Sequence, residues 1–570
     1  MTGQELMDRL KERFSGRILD MRELTPARIY VTVSPDDIPE FAKYLFQELG
    51  ARFLITAGAD TRRMKVPMAG SQGLGVVNSF VATHIFSLDR DKLFIALRAV
   101  LDKDNPRIPS ITPTIPGAGW AERELHDVIG VKVEGHPDPR RLLLPDDWPE
   151  GIYPLRKDVP YDIKPEPDPS AKPPLKEPPE GTTVLPIGPF YPVLEEPAYF
   201  RLFVDGEVVV DCDYRGFYNH RGIEKLGDSK LTYNQVPFLA ERICGICGFI
   251  HSTCYVEAVE DAIGIKAPRR AKYIRSILLE LERIHSHLLW FGIAGHIIGF
   301  DTVLMQSWRI REPVMWLCEY ITGHRKTYGM NLVGGVRRDI TSDMHDRILD
   351  VLGGVEKETV AMVKAIAGDT SLAARLKGVG YLSYEDAKAI CVVGPTARGS
   401  GVAIDARVDH PYAAYDELVP EKKVHPEGDI WARVLVRLEE VLDSIRLIRD
   451  GIAGLRDMPE GEIQVAIGDI PPGLEGICVV EAPRGEAIHY VLTGEDNRLE
   501  RWRVRAPTYN NLQAVPVMIR GLTIADVPIS IGSYDPCFAC TERVEIVDLK
   551  DGSVRVMSGE ELMRFKVKGD

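Results

Sequence analysis

The sequence predicts an α+β chain, a small N-terminal α+β domain followed by a large and mainly helical one. Three observations predict it. The stretch 165–186, PEPDPSAKPPLKEPPEGTTVLP, is so dense in proline and charge that it holds neither a packed helix nor a central strand, and it reads as an extended linker. Before it, short alternating runs dominate; after it, long amphipathic runs do. With 570 residues and 45% hydrophobic content, the chain can bury more than one core. The expected division is 1–164, a linker at 165–186, a large domain at 187–543 and an extension at 544–570.

In the small domain, Arg28 to Val33 alternates like a strand and Asp37 to Gly50 reads as a helix ending in glycine. Further strand-like runs follow at Arg52 to Ala57 and Val76 to Leu88, while Asp91 to Leu101 fits a strand and a helix equally well. In the large domain, Pro268 to Phe291 places Ile274, Ile277, Leu278, Leu281, Ile284 and Leu288 on one apolar stripe, with proline where a first helical turn tolerates it. A second run, Trp431 to Leu455, aligns Val434, Leu435, Leu438, Val441, Leu442, Ile445 and Ile448. The segment 476–550 is richer in strand and turn patterns. The charge pairs Glu439-Glu440 and Arg337-Arg338 read as solvated faces. His285 and His287 are two apart on a helix, so they do not share a face and form no metal clamp.

Composition excludes several functions. Seventy basic residues against 84 acidic ones leave a net charge of -14, which repels phosphate backbones and argues against nucleic acid as a partner. No stretch approaches the roughly 20 apolar residues of a transmembrane helix; Trp290 to Phe300 comes nearest and is broken by His296. The N-terminal MTGQELMDRLKERFSG mixes acids and bases without an apolar leader or a twin-arginine signal, so the chain is expected in the cytoplasm, with any membrane association supplied by partners.

Nine cysteines in a chain of this length are not a disulfide framework. Cys212, Cys254, Cys318, Cys391 and Cys478 are scattered, whereas Cys244/Cys247 and Cys537/Cys540 form two CxxC pairs. Thiolates are soft anionic ligands, and two such pairs can converge four sulfurs on one metal. Spacing alone leaves structural zinc, a redox metal centre and a thiol–disulfide pair all open, and it does not yield nickel.

The residues around the pairs carry more. Glu241-Arg242-Ile243-Cys244-Gly245-Ile246-Cys247-Gly248-Phe249-Ile250-His251 resembles the N-terminal metal-binding motif of nickel-iron hydrogenase large subunits. Asp535-Pro536-Cys537-Phe538-Ala539-Cys540 resembles their C-terminal motif, and Glu481-Ala482-Pro483-Arg484-Gly485 also matches the family. The resemblance implies that Cys244 and Cys537 are terminal nickel ligands and that Cys247 and Cys540 bridge nickel to an iron carrying diatomic ligands. It implies that Pro483 lines this nickel-iron centre and that His251 hydrogen-bonds a bridging sulfur, where a donor tunes thiolate charge and redox potential; the competing reading of His251 is a buried imidazole satisfied by backbone. Arg484 would hold its guanidinium over the vacant metal position, the alternative being a surface arginine. For Asp301, orienting Arg484 and capping a helix are equal readings. Heterolytic cleavage of hydrogen releases a proton that must leave through a titratable neighbour. Glu196, 48 residues before Cys244, matches the proton-relay position, accepting from Cys537; the alternative is an exposed turn carboxylate, and Glu195 lies beside it.

His220-Arg221-Gly222-Ile223-Glu224-Lys225 resembles a motif shared with the 49-kDa subunit of respiratory complex I, and the resemblance implies a second cation, magnesium or iron, at Glu224. Arg543 stands where uptake hydrogenases carry a histidine, a departure that weakens the cation site and fits the membrane-bound, energy-converting group. Gly119-Trp120-Ala121-Glu122-Arg123-Glu124-Leu125-His126-Asp127, with Gly135-His136-Pro137-Asp138 and Pro154-Leu155-Arg156-Lys157-Asp158, resembles the complex I 30-kDa subunit. Fusions of the two are similar to the large subunits of formate hydrogenlyase and hydrogenase-4. That kinship implies an iron-sulfur small subunit with a [4Fe-4S] cluster as partner, and membrane-arm subunits that hold the chain at the inner face of the cell membrane. It further implies an electron-donor module (formate dehydrogenase, ferredoxin or CO dehydrogenase), nickel-insertion chaperones, and an endopeptidase that removes 544–570. Two other functions compete with hydrogen chemistry: a quinone-site subunit that has lost it, and a zinc-stapled scaffold.

Overall fold

The computed structural model describes residues 1–188, 198–217, 220–537, 546–547 and 554–555. The small part is built on a five-stranded sheet of β1 (Ile18–Thr25), β2 (Arg28–Val33), β3 (Arg52–Asp60), β4 (Phe80–Leu88) and β5 (Leu93–Leu101), in the order β1-β2-β5-β4-β3. Only the β2–β5 pair is parallel. The segment that fits strand and helix equally is strand β5, because it must bridge β2 and β4 at the centre of the sheet. Helix α1 (Gly3–Arg13) opens with a capping box between Thr2 and Glu5. The predicted helix after Asp37 is shorter than expected, α2 (Ile38–Lys43) relaxing into a wider π turn over Tyr44–Glu48. Helix α3 (Gly119–Ile129) carries the GWAERELHD motif.

The sheet is buried on both faces. Phe53, Phe80, Phe86, Ile95 and Leu97 pack with α1, α2 and α3, whereas Leu54, Ile55, Val81, Ile85 and Phe94 join the core of the large part. This is why β4 has no exposed residue along its length and why its apolar residues do not simply alternate with polar ones. Residues 165–182 contain neither helix nor strand, and Thr183–Ile187 then enters a three-stranded antiparallel sheet with Tyr199–Asp205 and Val208–Arg215.

The large part is a helical body. Helix α4 (Gly248–Ile263) is followed by α5 (Arg269–Ile297), α6 (Asp301–Thr322), α7 (Ser342–Gly368) and α8 (Ile430–Arg456). The stripe predicted for α5 is buried along its length, and α8 lies against it, with Ile277 in contact range of Gly451. Against the helices lies an antiparallel sheet of β6 (Glu475–Ala482), β7 (Gly485–Thr493) and β8 (Leu499–Arg505). Gly476 in β6 has no room for a side chain, since a Cβ would sit 1.9 Å from the Ala258 carbonyl oxygen; that close approach seats α4 on the sheet.

The two parts are joined by arginines on alternate positions of β8. Arg501, Arg503 and Arg505 donate their Nε–H groups to the carbonyls of Gly58, Thr56 and Leu54 at 2.8, 3.1 and 3.2 Å. These carbonyls belong to β3, the edge strand of the small sheet, so side chains satisfy backbone acceptors that would otherwise be buried unpaired. Each guanidinium is also matched by buried or half-buried carboxylates: Arg501 by Glu224, Arg503 by Glu124 and Glu224, and Arg505 by Glu486. Deeper in the junction, Arg98 of β5 pairs with Glu475 of β6, both fully buried.

Among the described residues no helix is long and apolar enough to cross a membrane. The Glu439-Glu440 pair departs from the solvated face expected of it. Glu440 is buried and bonded to Arg398 Nη2 at 2.6 Å and His287 Nε2 at 2.9 Å, because buried arginine leaves a charge that only a buried carboxylate offsets. Substituting Arg503→Ala strands Glu124 in the junction, leaves Glu224 to Arg501 alone, and is expected to cost about 3–5 kcal/mol, the usual penalty for breaking a buried pair from one side. The measurements are a lowered unfolding midpoint and faster proteolysis within 165–182, and an unchanged midpoint would show that the arginine array does not hold the parts together.

Candidate metal centre

Cys244 and Cys247 are brought together with Cys537 from opposite ends of the large part. Cys244 lies in the turn after the short helix Val236–Ala240, and its sulfur accepts the N–H groups of Ile246 and Cys247 at 3.4 and 3.3 Å. Cys247 is the residue that caps the start of α4. From the other end, Cys537 follows Asp535-Pro536, with Asp535 in a left-handed backbone conformation (φ 57°) that turns the chain inward, and Cys537 donates its N–H to Thr508 Oγ1 at 3.1 Å. The Cys244 and Cys537 sulfurs stand 3.2 Å apart although 293 residues separate them in sequence. Cys244, Cys247 and Cys537 are all buried.

Arg484 occupies the tip of the β6–β7 hairpin. Ala482 pairs with Gly485, leaving Pro483 and Arg484 as the two turn residues. Gly485 (φ 130°) packs its backbone against Gly394, where a Cβ would fall 2.7 Å from the Gly394 nitrogen, so the hairpin sits deeper than any other residue would allow. Pro483 and Arg484 are buried. The guanidinium donates to the Asp535 carbonyl at 2.8 Å, to Asp535 Oδ1 at 2.9 Å and to Ser286 Oγ at 3.2 Å. Burial works against its charge, yet Asp535 and the three cysteines Cys537, Cys244 and Cys247 hold its pKa well above the ordinary value. The result is a permanent cation fixed beside the sulfurs.

Three expectations need correction or relocation. Asp301 does not orient Arg484: it lies in the first turn of α6, is 65% exposed, and bonds His296 Nδ1 at 2.8 Å. Nor is it the capping residue, a position held by Phe300. The orienting acid is Asp535, two residues before Cys537, and the sequence offered that signal in the DPC motif itself. Glu224 faces the arginine array; its carboxyl is 2.7 Å from Arg501 Nη1 and 3.0 Å from Arg503 Nη1. Burial raises its pKa, but the two arginines outweigh burial and hold it below the ordinary value. Two guanidiniums thus face the carboxyl at which a second cation is expected. Glu195, Glu196, Cys540 and Arg543 lie outside the described residues.

His251 sits one turn into α4 beyond Cys247, with its Nδ1 3.2 Å from His489 Nε2 of β7 and its Nε2 buried without a hydrogen-bond partner. Burial pushes its pKa down to about 4, against an opposing pull from Cys244. Glu282 of α5 escaped notice in the sequence because it lies within an apolar helical run. It accepts the N–H groups of Phe249 and Ile250, both at 3.0 Å, just beyond Cys247, and burial pushes its carboxyl up to about 8.

The donor set fits a soft, electron-rich metal group. Contact with Cys244 and burial raise the Cys247 thiol well above its usual range, so neighbouring thiolates in this dry site require a strong cation to form. Arg484 brings a permanent cation to the same place. Among the described residues no three His, Cys, Asp or Glu side chains form a metal-holding group on their own; the fourth cysteine, Cys540, would complete the set.

Comparison with known proteins agrees with this architecture. The family model for the respiratory-chain NADH dehydrogenase 49 Kd subunit matches residues 298–472 and 465–543, that for the 30 Kd subunit matches 31–165, and that for nickel-dependent hydrogenase matches 221–305. Formate hydrogenlyase subunit 5 of Escherichia coli (strain K12) is 40% identical over 99% of this chain and 98% of its own. Hydrogenase-4 component G of the same organism is 39% identical over 99% of this chain and 97% of its own. Among solved structures, that of the membrane-bound sulfane sulfur reductase, an archaeal respiratory membrane complex, aligns with a TM-score of 0.60 and 30% identity over 64% of this chain and 99% of the matched one. The chain therefore belongs to the energy-converting nickel-iron hydrogenase large subunits of the formate hydrogenlyase and hydrogenase-4 type, with a complex I 30-kDa-like domain fused at its N-terminus.

Proposed function

We propose that this chain is the catalytic subunit of a hydrogenase that interconverts molecular hydrogen with protons and electrons. The observation that supports it most is the approach of Cys244 and Cys537 to 3.2 Å under a buried Arg484, an arrangement with no use in a scaffold. Cys244, Cys247, Cys537 and Cys540 would hold a nickel-iron group with diatomic ligands on iron, which when bound supplies a Lewis-acidic redox centre. The chain's own residues do the rest. Arg484, steadied by Asp535 and Ser286, offers a fixed charge in a water-poor cavity where such a charge counts most. The Cys537 sulfur is where a released proton would be held, and Glu196 is the carboxylate proposed to take it onward.

The kinship supports an assembly in which an iron-sulfur small subunit with a [4Fe-4S] cluster receives electrons and membrane-arm subunits hold the chain at the inner face of the cell membrane. Formate dehydrogenase, ferredoxin or CO dehydrogenase would be the electron donor. Nickel-insertion chaperones would load the centre and an endopeptidase would remove 544–570. The second reading, a complex I-like subunit without hydrogenase chemistry, draws on the match to the 49 Kd model, and metal analysis separates the two.

Chain produced with its maturation factors is expected to contain nickel and iron near one each and to have lost the mass of 544–570; zinc alone would end the hydrogenase reading. Cys537→Ser is expected to abolish hydrogen turnover, measured as hydrogen evolution from a reduced dye, and retained turnover would remove that sulfur from its role. Arg484→Lys keeps the charge but loses the fork that grips Asp535, and turnover should fall by roughly 10²-fold or more, as when one preorganised donor is removed. Asp301→Ala, far from these groups, should leave turnover unchanged in the same assay.

A further inference from the structure

We propose that Trp502, acting through His489, fixes the His251 imidazole in the tautomer that carries its proton on Nε2, so that His251 offers an N–H to the cysteine sulfurs. The inference rests on the reading of Cys244, Cys247, Cys537 and Cys540 as a metal-ligating set, and it assigns a positioning role to two residues with no contact to that set in the structure described above.

The argument needs only donor and acceptor chemistry. Trp502 Nε1 lies 3.2 Å from His489 Nδ1. An indole nitrogen only donates, so His489 Nδ1 must accept and carries no proton. The single proton of His489 is therefore on Nε2. That atom is 3.2 Å from His251 Nδ1, which must in turn accept, and the single proton of His251 is left on its own Nε2. This last nitrogen is buried and has no hydrogen-bond partner among the described residues, an expensive condition for an N–H unless something outside them accepts it. His251 lies one turn beyond Cys247 and interacts electrostatically with Cys244, so a sulfur is the nearest chemistry that could use the proton.

The fold makes the chain of three rigid. His489 of β7 pairs with Val504 of β8, which places Trp502 diagonally beside it on one face of the sheet. Trp502 and both imidazoles are fully buried. The Trp502 ring is wedged against Gly227, where a Cβ would lie 2.4 Å from the indole, and Tyr255 of α4 packs edge-on to it. Held by these contacts, the rings transmit the direction of one indole N–H from Trp502 to His251. A hydrogen bond to a metal-bound thiolate withdraws charge from it, so the tautomer sets the electron density of the centre.

The test reads the tautomer directly, by nitrogen NMR of the full-length chain with its partner subunits and ¹⁵N-labelled histidine, the His251 signals being identified by their loss in His251→Phe. Wild type is expected to show a protonated Nε2 and a bare Nδ1 at both His251 and His489. Trp502→Phe removes the donor that directs His489, and the proton on His251 should redistribute between its two nitrogens. His489→Gln, whose amide can still donate near the place of Nε2, should keep the wild-type His251 pattern. A bare Nε2 at His251 in wild type, or a His251 pattern untouched by Trp502→Phe, overturns the proposal; if Trp502→Phe does not fold, the wild-type and His489→Gln spectra decide it. In metal-loaded protein, Trp502→Phe should also shift the infrared stretching bands of the iron's diatomic ligands to lower frequency, and unshifted bands would overturn the link to sulfur. The nitrogen spectrum does not depend on metal, so absence of nickel would sink the proposed function while leaving the tautomer result to stand or fall separately.

Discussion

The architecture depends on the matching of buried charge along β8. Three arginines on alternate positions reach from the sheet of the large part to the edge of the sheet in the small part, and each satisfies a backbone carbonyl while being matched by carboxylates. An unpaired charge in such a junction costs several kcal/mol, so the array tolerates few arrangements. It holds Glu124, from the GWAERELHD motif of the small part, against Glu224, from the HRGIEK motif of the large part. Two motifs that look functional in sequence thus meet at a structural seam, where Glu224 faces two guanidiniums.

The same three strands organise the candidate centre. The hairpin tip between β6 and β7 carries Arg484, the face of β7 and β8 carries His489 and Trp502, and the close seat of α4 at Gly476 brings Cys247 and His251 to that face. Cys537 arrives from a different direction, after a turn whose Asp535 grips Arg484 twice. Arg484 is therefore both a structural clasp on the C-terminal turn and a charge placed beside the sulfurs. Binding and chemistry share one set of contacts, so loss of the clasp would displace Cys537 as well as the guanidinium.

Buried acids around the site divide by what surrounds them. Glu440 is held well below its usual pKa, Arg398 and His287 overcoming the effect of burial, and belongs to a charge network that fixes α5 against α8. Glu282 has no such cation in bonding contact and is pushed up to about 8 by burial, although two backbone N–H groups favour its charge. A carboxyl kept neutral by the fold contributes stability that is fully present below the ordinary carboxylate range and is lost progressively as pH rises from there through its folded pKa, so Glu282 favours the fold most in acid and has lost that contribution by about pH 8.

Much of the fold and the site was legible in the sequence. The α5 and α8 stripes, strand β2 and the proline-rich segment follow from periodicity and composition, because helices and strands impose 3.6- and 2-residue repeats on whatever they bury. Cys244, Cys247, Cys537, His251 and Arg484 stand out as motif residues in the sequence, and the fold gathers them into one buried region. What the sequence did not determine are the pairings: that Asp535 and not Asp301 holds Arg484, that Glu224 serves an arginine array, that Glu440 is inside, and that Trp502 stands behind His489. A carboxylate reads the same in sequence whether water or a guanidinium faces it. Only the tertiary structure decided which, since a buried charge takes its role from the partner that offsets it, and those partners lie tens to hundreds of residues away.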